Sequence, residues 1–185
     1  MNSIKQIEVI YKSRLVGRLA LTKEHLCAFE YSSEWISSGF SISPFELPLR
    51  SGVFIAKPRP FEGGFGVFDD CLPDGWGLLI LDRYLQQHGV NTRTLTLLDR
   101  LALVGSTGRG ALEFRPDKSV VGNQEYSDFE KLALEAERIF DSDDYTGKGI
   151  EEFQQRGGSP GGARPKIFTH YEGKEWLVKF RAKQD

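Results

Sequence analysis

The chain has 185 residues, of which 39% are hydrophobic and 27% charged, so it holds enough apolar material for one large domain or two small ones. Its net charge of −2 gives no indication of direct nucleic-acid binding, and its two isolated cysteines exclude a disulfide framework or a zinc site. It contains no apolar run of about 18 residues, so we predict no membrane span, and the cysteine usage indicates a reducing, cytoplasmic location.

The N-terminal third is predicted to form a small antiparallel sheet. Residues 4–11, 15–21 and 27–31 have the composition of strands, and the third run alternates apolar and polar positions. This pattern is typical of a sheet with one covered face. The next segment, 41–60, contains four prolines, so we predict a long loop there with a short strand near 53–56.

Two helices and a strand are predicted in the middle of the chain. The first helix begins at Asp74, whose carboxylate is expected to accept hydrogen bonds from the first free N–H groups, and it ends near Gly89. The second covers 94–104 and places four aliphatic residues on one face. Residues 105–110 form a glycine-rich turn before a strand at 111–115. Because a helix precedes this turn and a strand follows it, the order is the inverse of a dinucleotide-binding loop and favours a helix C-terminal turn over such a loop.

A third helix is predicted from a capping box. Ser127 is followed three residues later by Glu130, and an apolar stripe runs from Phe129 to Phe140. The polar segment 141–149 is predicted to be a connection between subdomains.

The last fifth of the chain contains the strongest candidate site. Four glycines lie within 157–162, and two strand-like runs follow at 166–171 and 175–180, joined by a turn that contains a glycine. Lys179 lies between two apolar residues and therefore points to the opposite face of its strand. Backbone N–H groups of a glycine loop together with an ammonium group can hold phosphate. A flexible linker and a solvated edge lysine remain the alternatives at this point.

Other chemistries have weaker support. Asp69, Asp70 and Asp74 lack the register of a metal-binding loop, so we predict no metal site. The three histidines are far apart, neither cysteine has a neighbouring base, and no nucleophilic triad is visible. The three tryptophans are predicted to lie in the core: Trp35, Trp76 and Trp176.

Three segments of the sequence resemble the HipA family of bacterial toxin kinases. Residues 68–83 contain Leu-Pro-Asp-Gly-Trp-Gly and resemble the entry helix of that family, and 97–112 fit its central segment. Residues 159–166 and 176–180 resemble its glycine-rich loop and its ATP-site lysine strand. The resemblance covers nearly the whole chain.

The resemblance implies an ATP- and Mg²⁺-dependent serine/threonine protein kinase with a DNA-binding antitoxin of the HipB type as partner. It implies that Ser159 is an autophosphorylation site that switches the kinase off, since a phosphate there competes with ATP for one positive cradle. The implied protein substrate belongs to the translation machinery, such as an aminoacyl-tRNA synthetase. The residues expected to bind nucleotide are Gly161, Gly162, Ala163 and Lys179, with Arg164 and Lys166 neutralising phosphate.

The family's substrate-positioning and Mg²⁺-binding residues lie in a C-terminal lobe beyond the lysine strand. We therefore expect no catalytic residue in this chain and no activity from the chain alone. The predicted fold is α+β: residues 1–115 form the N-terminal subdomain, 116–150 a helix and connection, and 151–185 the first strands of a kinase-like lobe with some apolar surface uncovered. The alternative is a non-catalytic regulatory or antitoxin-like module that binds a separate kinase lobe or a HipB-type antitoxin.

Overall fold

The computed structural model describes residues 4–120, 128–142, 145, 147, 149–157 and 162–181. The chain divides into two compact units, Met1–Leu72 with Thr94–Ser119 and Pro73–Arg93 with Val120–Asp185. The sequence predicted three consecutive segments, 1–115, 116–150 and 151–185, and that division stays a prediction. The described elements are β1 Gln6–Tyr11, β2 Arg14–Leu21, β3 Cys27–Tyr31, α1 Ser33–Ser38, β4 Val53–Ile55, α2 Gly66–Asp69, α3 Gly75–Gln87, α4 Leu97–Val104, β5 Leu112–Arg115, α5 Phe129–Asp141, α6 Gly149–Gly157, β6 Lys166–Tyr171 and β7 Lys174–Lys179.

The first unit is a five-stranded antiparallel sheet in the order β4-β3-β2-β1-β5, which confirms the predicted sheet. Alternation along β1 buries Ile7 and Val9, and β3 buries Phe29 by the same two-residue period. Leu98 and Leu101 of α4 belong to the same apolar cluster as these strand residues. The helix and the sheet thus share one core, as an α+β fold requires.

The start of α4 is fixed by a capping box that was not predicted from the sequence. Thr96 is the N-cap, its hydroxyl accepts from the N–H of Asp99, and the Asp99 carboxylate accepts from the N–H of Thr96. The same carboxylate also accepts from the N–H of Ile4 at 3.0 Å. The predicted helix at 94–104 therefore begins at Leu97, after a single 3₁₀ turn at Thr92–Thr94.

The second unit packs α3, α5 and α6 with the hairpin β6–β7. Its core combines residues from all three helices with Ile167 of β6 and with Phe180, which directly follows β7. Trp76 of α3 meets Phe153 of α6 edge-to-face at 5.3 Å between ring centroids. Arg83 of α3 donates to the carbonyl of Ser142 at 2.5 Å, just after the last residue of α5. This bond satisfies an acceptor that the helix end leaves without an intrahelical partner.

Three predictions about this part of the chain were wrong. Helix α5 is capped by Asp128, whose carboxylate accepts from the N–H of Lys131 at 3.0 Å, whereas Ser127, the predicted cap, lies outside the described residues. Helix α6 occupies residues that were predicted as the end of a connection and the approach to the glycine loop. Trp176 is 51% exposed, although Thr169, which pairs with it across the hairpin, is buried, while Trp35 and Trp76 are buried as predicted.

Candidate functional site

The hairpin β6–β7 brings two lysines together. Its antiparallel register pairs Lys166, the first residue of β6, with Lys179, the last residue of β7. Directly opposed residues of a strand pair project from the same face, so the two ammonium groups share one side of the hairpin. Lys166 is buried, with 6% of its surface exposed, whereas Lys179 is exposed. The predicted ATP-site lysine thus lies beside a second, more enclosed cation.

The environment of Lys166 is strongly cationic. Burial lowers the pKa of its ammonium group, and the neighbouring charges of Lys179 and Arg164 lower it further. The Asp74 carboxylate acts in the opposite direction and raises it. Three cations and one carboxylate therefore influence one another at the base of the hairpin, and a bound anion there would relieve the repulsion.

The described end of the glycine-rich loop is held by the start of α3. The N–H of Gly162 donates to Asp74 Oδ1 at 2.6 Å, and the N–H of Trp76 donates to the carbonyl of Gly162 at 3.1 Å. Asp74 occupies the N-cap position, but its side chain makes no hydrogen bond to the N–H groups of the helix. The prediction that this carboxylate caps α3 was therefore wrong: it accepts its hydrogen bond from the loop, 88 residues away in sequence.

Gly75 permits this close approach. Its φ is +44°, a conformation that side-chain-bearing residues rarely adopt. A Cβ atom at this position would lie 2.7 Å from both the backbone nitrogen and the Cα of Ala163. Since non-bonded carbon atoms do not approach so closely, any side chain at residue 75 would displace the loop. The Asp-Gly-Trp part of the sequence motif thus serves as a seat for the glycine-rich loop.

Gly162 and Lys166 also lie close to each other. Gly162 has φ +94°, and Lys166 Nζ is 2.9 Å from the position that a Cβ of Gly162 would occupy. The ammonium group therefore lies so close to residue 162 that a side chain there would clash with it. The N–H of Phe180 donates to the carbonyl of Pro165 at 2.9 Å, which ties the entry of β6 to the exit of β7.

The structure brings together most of the predicted site residues. Those among the described residues are Gly162, Ala163, Arg164, Lys166 and Lys179. Gly161 and Ser159 lie outside the described residues. The role of Asp74 and Gly75 as loop partners was not predicted from the sequence. The only sequence signal for them was the unusual run Asp-Gly-Trp-Gly at a helix start.

The alternative glycine loop at 105–110 has a structural explanation. Gly105 is the C-cap of α4, with φ +51° and its N–H bonded to the carbonyl of Leu101 at 2.9 Å, as predicted for a helix C-terminal turn. The Asp117 carboxylate then accepts from the N–H groups of Ser106 and Ser119 at 3.0 and 2.9 Å. Burial opposes ionisation of Asp117, but these hydrogen bonds lower its pKa on balance.

The two cysteines have thiols of raised pKa. Burial raises the pKa of Cys27 and of Cys71 to about 11, and Asp70 adds to the effect at Cys71, so both thiols stay protonated near neutral pH. Among the described residues, no three His, Cys, Asp or Glu side chains are grouped closely enough to hold a metal ion. Within the same part of the chain, no helix is both long and apolar enough to cross a membrane.

Comparison with known proteins is consistent with this architecture. A family model described as the HipA N-terminal domain matches residues 7–115. No curated protein matches the chain. Among solved structures, it is similar to a chain from a complex of the Shewanella oneidensis MR-1 toxin–antitoxin proteins HipA and HipB with operator DNA, with 22% sequence identity and a TM-score of 0.53. The match covers 92% of this chain but 37% of that chain, and it confirms the α+β fold.

Proposed function

Because the chain belongs to the HipA N-terminal domain family, we propose that it is the N-terminal portion of a HipA-type toxin–antitoxin serine/threonine protein kinase. One observation carries the proposal beyond family membership. The glycine-rich loop leads into a hairpin whose register sets Lys166 opposite Lys179, within a cluster of cations beside the loop. This arrangement suits the phosphates of a nucleotide.

The positively charged and N–H groups of the described residues suit the triphosphate of ATP. The loop provides backbone N–H groups, Lys179 provides an exposed ammonium group, and Arg164 and Lys166 provide further positive charge. Bound Mg²⁺ would neutralise charge on the transferred phosphoryl group, and we place its ligands in a C-terminal lobe. Catalysis therefore requires that lobe, and we expect the chain alone to be inactive.

Regulation and partners follow from the same proposal. Phosphorylation of Ser159 would add nearly two negative charges close to the loop and so compete with ATP for the cationic cluster. The proposed partner is a HipB-type DNA-binding antitoxin, and the proposed substrate is a protein of the translation machinery, such as an aminoacyl-tRNA synthetase. All of these would meet in the cytoplasm.

Phosphopeptide mass spectrometry of the chain, produced in its own host together with the proposed C-terminal lobe, provides the main test. We expect phosphate on Ser159, its loss in a Lys179→Ala variant, and its retention in a Lys174→Ala variant, which changes an exposed lysine at the other end of β7. Phosphate on Ser159 in the Lys179→Ala variant would exclude the proposed nucleotide site. Co-purification with a HipB-type protein encoded beside the gene tests the partner.

A second candidate function is a non-catalytic module that binds a separate kinase lobe or a HipB-type antitoxin. The observation that favours it is the exposure of two apolar side chains of β7, Trp176 and Leu177, which are 51% and 44% exposed and, as consecutive strand residues, point to opposite faces. Both proposals require a cover for these side chains. They differ in phosphate transfer, because the module would bind its partner equally well after Lys179→Ala.

A further inference from the structure

The Asp74 carboxylate occupies a backbone donor of the loop, the N–H of Gly162. It accepts the N–H of Gly162 at 2.6 Å, and its charge raises the pKa of Lys166 against the combined effect of Lys179 and Arg164. A short hydrogen bond from a backbone N–H to a carboxylate, close to an ammonium group, resembles the arrangement in which proteins bind phosphate. The chain thus already holds one internal anion in this place.

The carboxylate is placed so that it can leave. Asp74 is exposed, and its side chain makes no capping hydrogen bond to α3, so a change of rotamer would break its bond to Gly162 without uncapping the helix. The backbone of the loop stays attached without it, because the N–H of Trp76 still donates to the carbonyl of Gly162 at 3.1 Å. Trp76 is itself buried against Phe153 and is therefore a fixed anchor. Release of the carboxylate would free the Gly162 N–H and leave the loop in place.

We propose that Asp74 is an internal competitor of phosphate: its carboxylate fills the loop's anion position, and a nucleoside triphosphate displaces it on binding. The proposal rests on the proposed function in one respect, the chemical class of the ligand. It adds a regulatory residue to the site, because the negative charge of Asp74 weakens the attraction between the cationic cluster and ATP. The chain then binds a polyphosphate less tightly than its three cations alone would allow.

The opposing explanation is that Asp74 acts only as a structural clamp that keeps the loop in the binding conformation. The two explanations predict different outcomes. Removal of the carboxylate charge strengthens polyphosphate binding if Asp74 competes, and leaves binding unchanged or weaker if Asp74 only clamps. Asp74→Asn is the informative change, because the amide oxygen can still accept the Gly162 N–H while the negative charge is gone.

The experiment is a calorimetric titration of the full chain with inorganic tripolyphosphate at low ionic strength. Wild type is compared with Asp74→Asn, Asp74→Ala, Lys179→Ala and Glu137→Gln. The last variant makes the same change in net charge at an exposed position on α5 and serves as the matched control. Removing one competing charge next to the cations should tighten binding about tenfold for Asp74→Asn, and the gain should shrink with added salt. Glu137→Gln should change binding less than about twofold, since its carboxylate lies on an exposed helix face where salt screens it.

Unchanged or weaker binding by Asp74→Asn overturns the inference, and so does the absence of binding by every variant, because the donors would then not form an anion site. Thermal unfolding of each variant shows whether a loss reflects misfolding, and Asp74→Ala provides a second measure of the sign. The failure of the proposed function has a different signature. If Asp74→Asn binds tripolyphosphate more tightly but Lys179→Ala does not change binding, Asp74 does compete with phosphate. The proposal that Lys179 binds the nucleotide is then wrong.

Discussion

Replacement of Gly75 by alanine should release the glycine-rich loop from α3. The substitution acts in two ways that can be separated. Alanine in a left-handed conformation is strained, and at φ +44° this costs about 1 to 2 kcal/mol. The new methyl group would also lie 2.7 Å from the backbone of Ala163, a distance that no rotamer change can relieve, so the loop must move.

The second effect can be estimated from the bonds that the loop would lose. Movement of Ala163 and Gly162 breaks the Gly162–Asp74 and Trp76–Gly162 hydrogen bonds. A neutral backbone bond contributes about 1 kcal/mol and a bond to a charged group somewhat more, but Asp74 is exposed and its share is reduced by solvent. We expect the steric part of Gly75→Ala to cost about 2 kcal/mol beyond the strain.

Gly89→Ala is the matched control. Gly89 also has a positive φ, +74°, and it lies in the same unit, but nothing lies within 4 Å of the position of its Cβ. Gly89→Ala should therefore be destabilised by the backbone strain alone. Urea unfolding gives the difference in free energy between the two variants, and hydrogen exchange of the Trp76 N–H reports directly on the loop bond. Equal destabilisation by the two substitutions, with the Trp76 N–H still protected, would refute the proposal that Gly75 makes room for the loop.

Three further predictions concern stability and surface. The Asp99 carboxylate should stabilise the first unit, and Asp99→Ala should cost about 2 to 3 kcal/mol through the loss of the helix cap and of its bond to Ile4. Burial opposes ionisation of Asp99, but its hydrogen bonds lower its pKa on balance. The stabilisation is therefore present above the unfolded-state pKa of about 3.9 and is lost as the pH falls through the pKa of the folded state. In an acid titration of stability, Asp99→Asn should not show this loss. Thr169→Val should stabilise the chain by about 1 kcal/mol in thermal unfolding, because the buried Thr169 hydroxyl has no hydrogen-bond partner among the described residues; destabilisation would indicate a partner. Leu177→Gln should reduce the binding of a hydrophobic dye with a change in stability within about 0.5 kcal/mol, and unchanged dye binding would show that the bound surface lies elsewhere.

Much of the fold could be predicted because its signals are local. The strand Cys27–Tyr31 was predicted at its observed bounds, since two-residue alternation and burial of one face coincide there. The hairpin β6–β7 was located from a Gly-containing turn between two runs of strand-forming residues. Helix α6 was missed because a glycine begins it and its short apolar stripe contains two buried residues, Ile150 and Phe153, too few to distinguish it from a connection.

The candidate site was only partly predictable, and Asp74 shows the reason. An aspartate before a helix most often caps it, since the nearest free donors are the first N–H groups of that helix. The rule weighs local donors alone, whereas the folded chain brings the N–H of Gly162 to 2.6 Å from the same carboxylate. Which donor is used depends on whether the loop can come close, and that depends on the absence of a side chain at Gly75. Asp74 and Gly75 therefore act together: Gly75 leaves room for the loop, and Asp74 accepts a hydrogen bond from it. The identity of residue 75 should then decide the partner of residue 74, so in Gly75→Ala the carboxylate should return to the helix N-terminus as an ordinary cap.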